Sequence, residues 1–231
     1  MDIGKSFTFV FEDENWITNI LIGAAILAVG LLFSWLIIPI FLAFLVLNGY
    51  AVAIIRRVLN GQADGLPQWD NWGGLLMDGL KMWVIGFVYA LPIIIASFCM
   101  IVPAAALGDS SETAAAILMA IFGCLIILWS IILTIMLPAA IAFWVATDEL
   151  SAAFRFGDVL AFVRENLSTY LITFVMTWVA AFVGQLGSLV CGVGLLATLP
   201  YSYMVIGHLF GQAYMVGQGQ PLQPSYDEGA I

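Results

Sequence analysis

The chain has 231 residues, of which 63% are hydrophobic and only 9% charged, against about a quarter charged in a water-soluble domain. That composition excludes a soluble globule. Fifteen acidic residues face six basic ones, for a net charge of −9; no basic stripe exists, so nucleic acid is excluded as a partner and the lipid bilayer is the implied one.

The N-terminal segment FTFVFEDENW mixes aromatics with acids. The apolar run that follows begins only after Glu12-Asp13-Glu14 and has no small-x-small site. It does not read as a cleavable signal peptide, and the first span is expected to be retained. From Ile17 to Ile55 there is no charge. One straight helix of that length would measure about 58 Å at 1.5 Å per residue, roughly twice a bilayer's hydrocarbon core. The stretch is therefore expected to fold back at Ser34 to Pro39. Trp35 suits the interface there, and Pro39 removes a backbone donor. Spans near 17–36 and 38–58 result, and Arg56 and Arg57 close the second.

Gly61 to Trp72 is turn-rich. Asp70 is the expected cap of a short helix from Trp72 to about Met82. Trp69, Trp72 and Trp83 suit the headgroup layer. The third span is expected near 82–104, with Asp109 and Glu112 in its exit loop. Thr113 to Thr147 is long for one span and short for two. Two spans would place Arg155 and Arg164 outside, so one long helix is expected, tilted or kinked at Pro138. In Glu149 to Asn166, apolar Ala152, Phe156, Val159, Leu160, Val163 and Leu167 recur at helical spacing, the pattern of an interfacial amphipathic helix. Spans near 167–190 and 194–216 follow, then a polar tail over 217–231.

The expected fold is an all-α polytopic transmembrane bundle of about six spans arranged as three hairpins. An interfacial amphipathic segment precedes each: FTFVFEDENW, WDNWGGLLMDGLKMW and AFRFGDVLAFVRENL. In this plan Lys5, Arg56, Arg57, Lys81, Arg155 and Arg164 all fall on one side. Basic loops stay cytoplasmic, so both termini are expected in the cytoplasm and the chain in the cell's inner (plasma) membrane.

From the end of the second span into the third stand Gly49-Tyr50, Arg56, Leu66-Pro67-Gln68-Trp69, Asp78-Gly79 and Tyr89-Ala90-Leu91-Pro92. This succession resembles the signature of a prokaryotic membrane-protein family catalogued as domain of unknown function 4013. The resemblance is specific over about residues 10–100 and rests on hydropathy beyond. It implies a fold and no established activity. The chain is also loosely similar to membrane domains fused to some glycerophosphodiester phosphodiesterases, but no phosphodiesterase residues are present.

His208 is the single histidine and lies well inside a span. An intramembrane ionisable group is a functional candidate, as a tetrapyrrole ligand or proton relay. Set against that is a neutral ring hydrogen-bonded between helices. Asn48, Gln185 and Gln212 either line a solute path or bond across helices. Gly207 and Gly211, and the series Gly184, Ser188 and Gly192, permit close helix approach, within this chain or to another. The loop carrying Trp69 and Trp72 is either a docking surface or a rigid turn anchored at the headgroups. Glu12-Asp13-Glu14 and Asp148-Glu149 read as charges at helix starts. Cys99, Cys124 and Cys191 are separated and apolar in context, so no metal is expected. With no catalytic constellation and no cofactor motif, the expected role is a non-enzymatic structural or accessory subunit. It would act with a protein partner or as a homo-oligomer in the membrane. The alternative is a transporter or channel for an uncharged solute or lipid.

Overall fold

The computed structural model describes residues 1–62, 65–107, 111–190 and 192–220. The readings placed on Asp109, on Cys191 and on the tail beyond Gln220 lie outside the described residues. Within them the chain is all-helical, with no strand: α1 (Ile3–Glu12), α2 (Trp16–Leu32), α3 (Ile38–Leu59), α4 (Trp72–Leu107), α5 (Glu112–Thr147), α6 (Phe156–Glu165), α7 (Leu167–Leu186) and α8 (Leu195–Gly217).

Four stretches are long and apolar enough to cross a membrane: Ile38–Leu59, Trp72–Pro103, Glu112–Thr147 and Leu167–Leu189. Counted as one broken span, the bent pair α1 and α2, with 92° between them, makes a fifth. The chain is thus a multi-pass membrane protein, and the count is compatible with about six spans. α8 is 23 residues long, but twelve of these are buried. A helix screened from lipid by its neighbours does not need an apolar surface all round.

The three hairpins are α2–α3, α4–α5 and α7–α8. The first turns through a 3₁₀ segment, Ser34–Leu36, and Ile37, whose φ of 63° and ψ of −46° are unusual for a β-branched residue. Pro39 then sits in the first turn of α3, where its missing N–H costs nothing. The third turns through Gly187–Leu189 and through Gly192, at φ 76°.

Four local readings differ in the structure. α4 is one unbroken helix of 36 residues rather than a short helix followed by a span, because no proline precedes Pro92 to interrupt it. Its cap is Asn71, whose Oδ1 accepts from the Gly74 N–H at 3.0 Å, rather than Asp70. The segment before α7 is a 3₁₀ turn, Leu150–Phe154, joined to α6 at Arg155. α5 runs continuously through Pro138. It ends at Asp148, in the left-handed conformation at φ 57°, which a short polar side chain tolerates. Asp148 therefore closes a helix and does not begin one.

The core has two parts that share α3 and α8. One gathers Ile85 and Tyr89 of α4, Ala139 to Ile141 and Trp144 of α5, Val159 and Val163 of α6, Tyr170 of α7 and Leu209 of α8. The other gathers Phe9 of α1, Leu47, Tyr50 and Ile54 of α3, Leu66 and Trp69 of the following loop and Met204 of α8. None of the described residues is buried in 90–103 of α4 or 112–135 of α5. The outer halves of that hairpin therefore present apolar side chains such as Ile95, Phe98, Ile127 and Leu128 to their surroundings.

Candidate functional site

The residues that carry the family resemblance gather at the junction of α3 and α4. A Cβ on Gly49 would overlap the Leu75 carbonyl, and one on Gly79 would overlap the Leu45 carbonyl. The two glycines thus let the helix backbones touch over one turn. At the rim Arg56 bonds Asp78 at 2.9 Å, with Lys81 3.8 Å from Asp78 and Asp148 4.0 Å from Arg56. One guanidinium therefore links α3, α4 and the end of α5.

Tyr50, beside Gly49, locks the loop that follows α3. Its ring stacks on Trp69 with centroids 3.8 Å apart and planes 6° from parallel. Its hydroxyl donates to the Pro67 carbonyl at 2.8 Å. From the other side, the Asp13 carboxylate accepts from the Leu66 N–H at 2.7 Å. Trp69 is consequently buried, while Trp72, 6.0 Å away, is 46% exposed. Further along α4, the Tyr89 hydroxyl donates to the Ala153 carbonyl at 2.8 Å, and Trp129 of α5 donates to the Tyr89 carbonyl at 3.1 Å. These side chains fix backbones.

His208 lies at a second junction, between α1 and α8, and is fully buried. Its Nδ1 is 3.0 Å from the Ser6 hydroxyl and 3.2 Å from Gln212 Nε2. Gln212 Oε1 accepts the Asp2 backbone N–H at 2.8 Å, so the amide's NH₂ faces the imidazole. Nδ1 is then an acceptor, and a neutral ring carries its proton on Nε2. Phe9 stacks on the ring at 4.2 Å and 20°. Tyr201 of α8 adds a hydroxyl bond to the Phe7 carbonyl at 2.8 Å. α1 thus docks its apolar stripe on α8, with one polar seam inside it. Hydropathy pointed to His208 and Gln212 but not to Ser6 or Phe9. The available signal was Ser6, Phe9 and Val10 at helical spacing in a ten-residue amphipathic stretch.

Gly207 faces the Ala51 backbone, its hypothetical Cβ 2.7 Å from the Ala51 oxygen, and Gly211 faces Val58 at 2.7 Å. That pair packs α8 on α3 within the chain. Gly184 faces Ser202 at 2.9 Å. Ser188 is exposed in the turn after α7. Gly192, at φ 76°, has nothing within 4 Å of a Cβ. The series does not form a continuous face, because α7 stops at Leu186. Asn48 bonds the Phe44 carbonyl of its own helix at 2.8 Å, and Gln185 is exposed. Of the paired acids, Asp13 holds the loop at Leu66 and Glu149 meets Arg155 at 3.4 Å. Among the described residues, no group of three or more His, Cys, Asp or Glu is placed to hold a metal ion.

No curated protein and no solved structure matches this chain. A family model does match, over residues 32–193. That range holds α3 to α7 and the whole α3–α4 junction, and leaves α1 and α8 outside. On that match the chain belongs to the family described as "Protein of unknown function (DUF4013)".

Proposed function

We propose that this protein is a non-enzymatic structural or accessory subunit of a membrane complex, set in the inner membrane with both termini cytoplasmic. The observation that supports this reading is where the interior polar groups end. Ser6, His208 and Gln212 bond one another. Thr198 bonds the Gly184 carbonyl at 2.7 Å and Ser202 the Ala180 carbonyl at 2.8 Å. Tyr50 and Tyr89 bond the backbones of adjoining segments. Each ties one piece of the chain to another, which is the work of a scaffold. A cleft of about 510 Å³ between α2, α3 and α4 is lined by apolar side chains, including Ile26, Leu42 and Trp72. Such a lining offers no path to a polar solute, which weighs against the solute form of the transporter alternative but not its lipid form.

Native mass spectrometry of protein extracted gently from its own membrane tests the proposal. A discrete homo-oligomer or a stoichiometric protein partner is the expected result. A lone monomer that moves solute or lipid in proteoliposomes would overturn it. Topology reporters at Gly61 and Asp109 are expected to read cytoplasmic and external respectively; the reverse pattern would invert the orientation.

A further inference from the structure

A second cleft, of about 640 Å³, opens between α4, α5 and α6, within the roughly 300–1,000 Å³ typical of small-molecule sites. Tyr89 and Pro92 line it from α4, Trp129 from α5, and Phe156, Leu160 and Arg164 from α6. The last three are spaced four residues apart and so share one helix face. That face carries two apolar side chains and then a guanidinium. Glu165 projects about 100° away around the helix.

The polar hydrogens elsewhere in the lining are occupied. The Tyr89 hydroxyl donates to Ala153 and the Trp129 indole N–H to Tyr89. Arg164 is the exception. It is exposed, and among the described residues no carboxylate lies within 4.0 Å of it. Lys5, Arg56, Lys81 and Arg155 each have such a partner. An apolar slot with one cation on its amphipathic roof complements a ligand with an apolar chain and an anionic head.

We propose that this cleft seats an anionic phospholipid of the surrounding bilayer. An acyl chain lies against Pro92, Trp129 and Leu160, and the phosphate lies on Arg164. A guanidinium matches phosphate oxygens bidentately, and basic pockets between spans at a membrane face select anionic headgroups. A zwitterionic lipid fills the same slot but cancels its phosphate with its own cation.

The test is native mass spectrometry of the purified full chain titrated with phosphatidylglycerol or phosphatidylcholine. The wild type is expected to retain phosphatidylglycerol preferentially. Arg164→Gln, a change at an exposed position, is expected to weaken phosphatidylglycerol by about fivefold and leave phosphatidylcholine unchanged. Ile132→Trp, which fills the slot, is expected to weaken both lipids. Equal retention of the two lipids by the wild type would overturn the proposal, as would unchanged phosphatidylglycerol binding by Arg164→Gln. A dimer that Ile132→Trp dissociates would assign the cleft to a second copy instead. If Ile132→Trp fails to fold, Arg164→Gln alone decides.

Discussion

At the α3–α4 junction two glycines bring backbones into contact, and the charges Arg56, Asp78 and Lys81 stay at the rim. At the α1–α8 junction the polar groups are inside: Ser6, His208 and Gln212 form a seam closed by the stacked ring of Phe9. Lipid tails are as apolar as leucine, so burial from water does little to hold spans together. Close packing and interior hydrogen bonds remain as means, and this chain uses one at each place. The two fail differently. A contact between backbones has no slack for an added atom, since interiors are close-packed. A polar seam has room but leaves an expensive orphan when one partner goes.

The sharpest way to break the first junction is Gly79→Ala, whose methyl would overlap the Leu45 carbonyl. A backbone cannot rotate away as a side chain can, so the expected loss is about 3 kcal/mol or more. It is read as a fall in the unfolding midpoint in mild detergent. A midpoint within error of wild type would mean that the helices part freely and the glycine contact is incidental.

The second junction is probed by a cycle of Ser6→Ala, His208→Leu and the double change. His208→Leu strands the Gln212 amide N–H and leaves the Ser6 hydroxyl only the Asp2 carbonyl at 3.2 Å, an expected cost of about 2 kcal/mol. The double variant is expected to lose less than the sum, with a coupling of about 1 kcal/mol. Strict additivity would dissolve the seam as a unit. Loss of a bound chromophore in His208→Leu would make the histidine a ligand.

The smallest effect is expected from Tyr50→Phe. It removes the bond to the Pro67 carbonyl and keeps the stack on Trp69, a change of about 1 kcal/mol. Faster hydrogen exchange across residues 65–70 is the readout. Unchanged exchange would show that the stack and Asp13 hold the loop by themselves.

Much of this architecture is legible in the chain itself. The charge-free run from Ile17 to Ile55 is too long for one crossing, and the structure bends it at Ser34–Ile37. The apolar spacing from Phe156 to Val163 marks α6. Span length and periodicity are local properties, fixed by the rise of a helix and the thickness of a bilayer. The boundaries near 70–82 were not legible, because a cap at Asn71 rather than Asp70 depends on which side chain reaches the Gly74 N–H.

What the sequence determined by itself is the medium and the fold class: too few charges for water, and apolar runs of spanning length. The tertiary structure alone decided what the polar minority does. Gly49 and Gly79 are 30 positions apart in the chain and become one crossing because α3 and α4 meet there. Ser6 and His208 stand 202 residues apart and become one seam because α1 docks on α8. Arg164 becomes a candidate lipid contact because it lines the cleft between α4, α5 and α6, while the folded chain gives Lys5, Arg56, Lys81 and Arg155 a carboxylate. Hydropathy is additive along the chain, whereas pairing across it depends on which helices pack together.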